Sequence, residues 1–134
     1  MALIEFDGVQ KAFGAKVVYE SLDLEIHEGE ALTIIGGSGM GKSVMLKLLI
    51  GLLQVDGGAI RFDGKVISGL EERQMTEVRR RIGMLFQGAA LFDSISVREN
   101  IAYPMREHAR PTEEEIDARV AECLEDVGLP GIAD

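Results

Sequence analysis

Eight consecutive residues constrain this chain more than any others. Gly36-Gly37-Ser38-Gly39-Met40-Gly41-Lys42-Ser43 matches the pattern G-x-x-x-x-G-K-[ST] in full, after the apolar run Ala31-Leu32-Thr33-Ile34-Ile35 and before a helical pattern. A strand that ends in glycines and opens a helix aims successive backbone N–H groups, and the positive end of the helix dipole, into one concavity of phosphate size. Residues without a side chain let the backbone curl round a phosphate at van der Waals distance. In such a loop Lys42 supplies a mobile charge for the β- and γ-phosphates, and Ser43 presents a hydroxyl to Mg²⁺. The expectation is nucleotide binding. The loop alone names no reaction, since kinases, GTPases and many ATPases share it.

The flanks give an outline of the fold. Residues 3–10 and 22–26 alternate apolar with polar positions, as half-buried antiparallel strands do, with Phe13-Gly14-Ala15-Lys16 as turn chemistry between them. Residues 31–35 read as a strand buried on both faces, the pattern of a parallel sheet. Residues 42–53 are apolar at nearly every position, which predicts a helix buried almost all round. After the turn Asp56-Gly57-Gly58, residues 59–67 alternate around Asp63-Gly64, a hairpin signal. Residues 71–81 read as a charged surface helix and 82–86 as another short apolar strand. Ser96 and Glu99 have capping-box spacing for a helix that Pro104 should end or kink. Thr112 and Glu115 form a second box, ahead of an apolar stripe of Ile116, Val120, Cys123, Leu124 and Val127 that stops at Gly128.

Composition excludes several classes of function. Lys and Arg number 14 against 23 Asp and Glu, a formal net charge of −9, which argues against general nucleic-acid binding. The single Cys123 forms no internal disulfide, and no Cys/His cluster has metal-ligand spacing, so structural zinc is out and the redox reading is cytosolic. The first residues have no signal-peptide pattern, and no apolar run approaches about 18 residues, so membrane association is expected through a partner. At 134 residues one domain is the default. Arg79-Arg80-Arg81 reads as a solvated face ahead of a docking patch, and Glu113-Glu114-Glu115 as acids suited to a helix first turn.

From its first strand to its last helix, the layout resembles the nucleotide-binding subunit of ATP-binding cassette transporters. In that family an aromatic-glycine pair after the first strand stacks on adenine, and Phe13-Gly14 stands at that place. A glutamine closing a short strand approaches Mg²⁺ and the attacking water and signals to the membrane subunit, and Arg81-Ile82-Gly83-Met84-Leu85-Phe86-Gln87 resembles that loop. Val44 stands where many relatives have Thr or Ser, removing one hydroxyl that elsewhere contacts phosphate. With the stretches 85–94 and 97–104, this is similar to the subgroup serving lipid-transport (Mla-type, Mce-associated) permeases, which move phospholipids between bacterial membranes.

The resemblance implies an α/β P-loop NTPase fold of ABC type, with an N-terminal antiparallel β-subdomain, an incomplete parallel core sheet and the start of a helical subdomain. Residues 1–86 would be the β-subdomain and P-loop core, and 87–134 the glutamine loop and the start of the helical subdomain. ATP and Mg²⁺ are the implied cofactors, held by Phe13, the loop 36–43 and Val44, with Ser43 and Gln87 toward the metal and Gln87 in the catalytic role. The implied partners are a second copy of the subunit, an integral membrane permease and substrate-binding lipid-transport components, at the inner face of the bacterial inner membrane. Hydrolysis in the family also uses an LSGGQ-like loop, an apolar strand ending in Asp, a following Glu and a switch His, and none of these occurs in residues 1–134. The chain is therefore expected to be the N-terminal portion of a longer subunit, inactive alone and prone to self-association through an unpaired sheet edge. The competing expectations are another ABC importer ATPase, a small P-loop phosphotransferase, which would need arginines in a lid over the phosphates, and a noncatalytic nucleotide-shaped module.

Overall fold

The computed structural model describes residues 1–37 and 41–134. They form two compact units, Met1–Met84 and Leu85–Asp134.

The first unit is built on a four-stranded sheet of order β2-β1-β3-β4, formed by β1 (Ile4–Phe13), β2 (Lys16–Ile26), β3 (Gly57–Phe62) and β4 (Lys65–Val66). Every pairing in it is antiparallel: Phe6 opposes Leu24 on one side and Ile60 on the other. The antiparallel N-terminal subdomain expected from the alternation is present, and β2 begins six residues earlier than the alternation alone indicates. Asp63-Gly64, both at positive φ, makes the tight turn between β3 and β4, the geometry whose twist matches paired strands. Between Phe6 and Val9 the β1–β2 register slips, and Asp23 Oδ1 accepts from the Gly8 amide at 2.6 Å where the ladder is interrupted.

Helix α1 (Lys42–Leu49) follows the glycine loop and lays Met45, Leu48 and Leu49 on Phe6, Val9, Ile60 and Phe62. Val9 and Ile60 are wholly buried, each stabilising the unit by about 1.5–3 kcal/mol relative to exposure. The expected helix over 42–53 is thus shorter, and one face rather than the whole circumference is buried: Leu46 and Lys47 face solvent. The reversal at Gly51 ends it, with Leu52 N–H donating to Lys47 O at 2.9 Å and Gly51 N–H to Leu48 O at 3.3 Å. Helix α2 (Glu72–Arg79) buries Met75 in the same core and turns Arg79 Nε onto Ile50 O at 2.8 Å, satisfying a carbonyl at the end of α1.

In the second unit, α3 (Val97–His108) and α4 (Glu113–Asp126) pack through Ala102, Ile116, Val120 and Leu124. Ser96 caps α3, and Thr112 and Glu115 close the reciprocal box on α4. Pro104 does not end α3, which runs four residues beyond it. The lost hydrogen bond is offset because Ile101, Ala102 and Met105, on both sides of the proline, pack onto α4. The stripe on α4 stops at Leu124, since the helix ends at Asp126 and leaves Val127 exposed; Cys123 is half-buried at its edge.

Two apolar runs read as strands are not strands. Residues 31–35 and 82–86 have no sheet partner, and no parallel pair occurs among the described residues. A strand exists through the ladder it shares with a neighbour. Without one, the side chains of the first run stay in solvent, Ile35 at 91 % exposure.

Candidate functional site

The site grows from the start of α1. Its N-cap is Gly41, at φ 93°, with no side-chain cap and no acidic residue in the first turn. Helices α3 and α4, by contrast, begin on the hydroxyls of Ser96 and Thr112. Among the described residues no side chain caps the first N–H groups of α1, and with the dipole they favour an anion. Lys42 Nζ donates to the carbonyl of Gly36 and, at 3.2 Å, to that of Gly37, which lays an ammonium along the glycine loop. Ser43 is exposed on the first turn, and Val44 is half-buried with its side chain against the core. Ser38, Gly39 and Met40 lie outside the described residues.

Strand β2 reaches this loop. Tyr19 donates its hydroxyl to Gly41 O, and burial pushes the phenol above its ordinary pKa, so it remains a neutral donor. A Cβ on Gly41 would stand 2.7 Å from Val18 Cγ1 and 2.8 Å from Tyr19 Oη, so glycine is required there by packing as well as by φ. Phe13 lies at the tip of the same β1–β2 hairpin, half-exposed, with Lys11 Nζ 5.2 Å from its ring centre. Lys11 is held in turn by Asp56 at 3.5 Å.

Gln87 belongs to the second unit, exposed in a turn. The next residues but one, Ala89 and Ala90, both take positive φ, at 61° and 53°, a local strain for residues with a Cβ. The arginine run is occupied within the chain: Arg79 pairs with Glu72, Arg80 with Glu77 at 3.0 Å, and Arg81 with Asp63 at 3.0 Å while lying over the Phe62 ring. Among the described residues no three His, Cys, Asp or Glu side chains form a metal-holding group. The donor set of ammonium, hydroxyl and backbone amides fits a polyphosphate. No helix among the described residues is long and apolar enough to cross a membrane.

Residues 19–134 match the family described as ABC transporter. The chain belongs to that family. It is 44% identical over 131 residues, 98% of this chain and 50% of the relative, to the intermembrane phospholipid transport system ATP-binding protein MlaF of Haemophilus influenzae. It is also 44% identical over 128 residues, 96% of this chain and 37% of the relative, to the probable ribonucleotide transport ATP-binding protein mkl of Mycobacterium leprae. Among solved structures, a dimeric ATP-binding cassette in a post-hydrolysis state bound to ADP and Pi superposes with TM-score 0.87 at 29% identity, covering 97% of this chain and 60% of that one. This ABC transporter chain spans about half or less of the length of these curated relatives.

The ABC-type P-loop fold read from Gly36 to Ser43 is therefore established, although its core strands are not formed among the described residues. Tyr19 was not legible in the sequence. An aromatic residue in a strand signals core packing, and nothing in the spacing from Tyr19 to Gly41 announces that a hydroxyl will meet a loop carbonyl.

Proposed function

We propose that this chain is the nucleotide-binding portion of an ATPase subunit that energises a membrane phospholipid transporter. The observation that carries the reading is the uncapped start of α1, with Lys42 lying along the glycine loop that precedes it. Gly36, Gly37, Ser38, Gly39, Met40, Gly41 and Lys42 would cradle the phosphates, Ser43 would contribute a hydroxyl toward Mg²⁺, and Val44 would replace a phosphate-contacting hydroxyl with core packing. The half-exposed ring of Phe13 offers a face for adenine. Ser43 and Gln87 would hold Mg²⁺, which when bound would supply neutralisation of the phosphate charge. Gln87 would orient the attacking water and relay the state of the site toward a permease.

Hydrolysis in the family also draws on an LSGGQ-like loop, an apolar strand ending in Asp, a following Glu and a switch His, none of which lies in residues 1–134, and this supports nucleotide binding rather than turnover as the role of these residues. In the whole protein, two subunits would enclose Mg-ATP and act on an integral permease with lipid-transport components, from the inner face of the bacterial inner membrane. The dimeric cassette bound to ADP and Pi supports the pairing, and the MlaF relative supports the lipid cargo. A second cargo is favoured by one observation: mkl, equally identical, is named for ribonucleotide transport. A small phosphotransferase would need arginines over the loop, whereas Arg61, Arg79, Arg80 and Arg81 are engaged by Glu5 and Asp7, Glu72, Glu77 and Asp63.

Titration calorimetry with Mg-ATP, beside a phosphate-release assay, tests the reading. Binding by this chain that disappears in Lys42→Ala, with no release from either, is the expected result. Lys42-dependent release by this chain would instead support a self-sufficient phosphotransferase or ATPase.

A further inference from the structure

We propose that Tyr19 is a positioning residue for the phosphate loop: its hydroxyl holds the Gly41 carbonyl and thereby sets the direction of the Lys42 amide at the start of α1. The inference rests on the nucleotide-binding reading above and adds to it a residue outside the loop. Gly41 O accepts twice, from the amide of Met45 at 3.0 Å, the first hydrogen bond of the helix, and from Tyr19 Oη. A carbonyl has two lone pairs, and both are then engaged. Because the peptide unit is planar and trans, fixing the Gly41 C=O also fixes the Lys42 N–H, which points the opposite way in the same plane. That amide is one of the donors left without a side-chain cap.

The contact is steric as well as polar. Val18 and Tyr19 press on Gly41 so closely that no side chain fits there, and the left-handed φ of 93° keeps the loop's turn at this point. The antiparallel sheet thus acts as a fixed wall for the loop: β2 is laddered to β1, β1 to β3, and α1 packs on the core they share. An aromatic residue that only filled the core would need its ring and not its hydroxyl. Tyr19→Phe separates the two roles because it keeps the ring and removes the donor.

The test uses inorganic triphosphate with Mg²⁺ beside Mg-ATP, both by calorimetry on the 134-residue chain. Tyr19→Phe is expected to weaken both ligands by the same factor, about three- to tenfold for one lost hydrogen bond, since the loop and not the base is affected. Phe13→Ala is expected to weaken ATP while leaving triphosphate unchanged. A second measurement keeps Tyr19 in place. The chain has two tyrosines and no tryptophan, so in Tyr103→Phe the emission comes from Tyr19 alone, and saturating Mg-triphosphate should change it. Wild-type affinity for both ligands in Tyr19→Phe, or a Tyr19 emission indifferent to triphosphate, overturns the inference while Lys42-dependent binding preserves the nucleotide reading. Absence of Lys42-dependent binding in the wild-type chain overturns the reading, and this inference with it.

Discussion

Two apolar segments of the first unit meet opposite fates. Strand β3 pairs with β1 on one side and β4 on the other, and its Ile60 is wholly buried. Residues 31–35 are more apolar and more β-branched, yet they join no sheet among the described residues and leave Leu32 and Ile34 about two-fifths exposed. The difference is one of partners rather than propensity. Ile60 faces Phe6 across the ladder and receives α1 on its core side, whereas the earlier run has neither neighbour. Gly41, at the end of the loop, meets β2 through Val18 and Tyr19, while the run 31–35 that precedes the loop in sequence joins no sheet among the described residues.

The contrast breaks first at Ile60. Ile60→Ala should destabilise the unit by about 2–5 kcal/mol in urea unfolding, whereas Ile35→Asp should change stability by no more than about 0.5 kcal/mol and reduce concentration-dependent association in sedimentation. Equal losses at the two positions would abolish the distinction. A backbone change sharpens it next. Gly58 has φ 75° and an added Cβ would press on the Gly8 carbonyl, so Gly58→Ala should cost roughly 1–3 kcal/mol through the β1–β3 ladder alone, while Gly83→Ala, with open space around it, should cost little in the same unfolding measurement. In the second unit, Thr112→Ala removes the cap of α4 and should cost about 1 kcal/mol by thermal melting.

The smallest effect is a pH dependence. Arg98, and then Arg106, hold the Glu113 carboxyl below its ordinary range, and Arg79 does the same for Glu72. A carboxylate lowered on folding stabilises the chain above its unfolded pKa, and the contribution is lost as pH falls through the lowered folded value. Melting temperature should therefore drop slightly below about pH 4, and less so in Glu113→Gln. At the alkaline end Tyr19 acts in the reverse sense: its raised pKa stabilises the fold below about pH 10 and is lost as pH rises through the folded value.

What the sequence made legible is what is decided locally. The Asp63-Gly64 turn and the capping hydroxyls of Ser96 and Thr112 depend on neighbours within a few residues and stand as read, and of the stripe on α4 Ile116, Val120 and Leu124 are buried while Cys123 lies at its edge and Val127 outside it. The loop pattern was legible for the same reason, although Ser38, Gly39 and Met40 lie outside the described residues. What depends on distant partners was not legible. Residues 31–35 and 82–86 have strand composition without a sheet, Pro104 is tolerated because Met105 beyond it packs on α4, and Tyr19 meets Gly41 only through the fold of β2.

Residue-resolved amide hydrogen exchange, with and without Mg-ATP, tests this account most directly. Phe6, Val9 and Ile60 should exchange slowly in both states, residues 31–35 rapidly in both, and nucleotide should slow the amides from Gly41 to Val44. Slow exchange over residues 31–35 in the dilute chain, or a nucleotide response that bypasses Gly41 and Lys42, would contradict it.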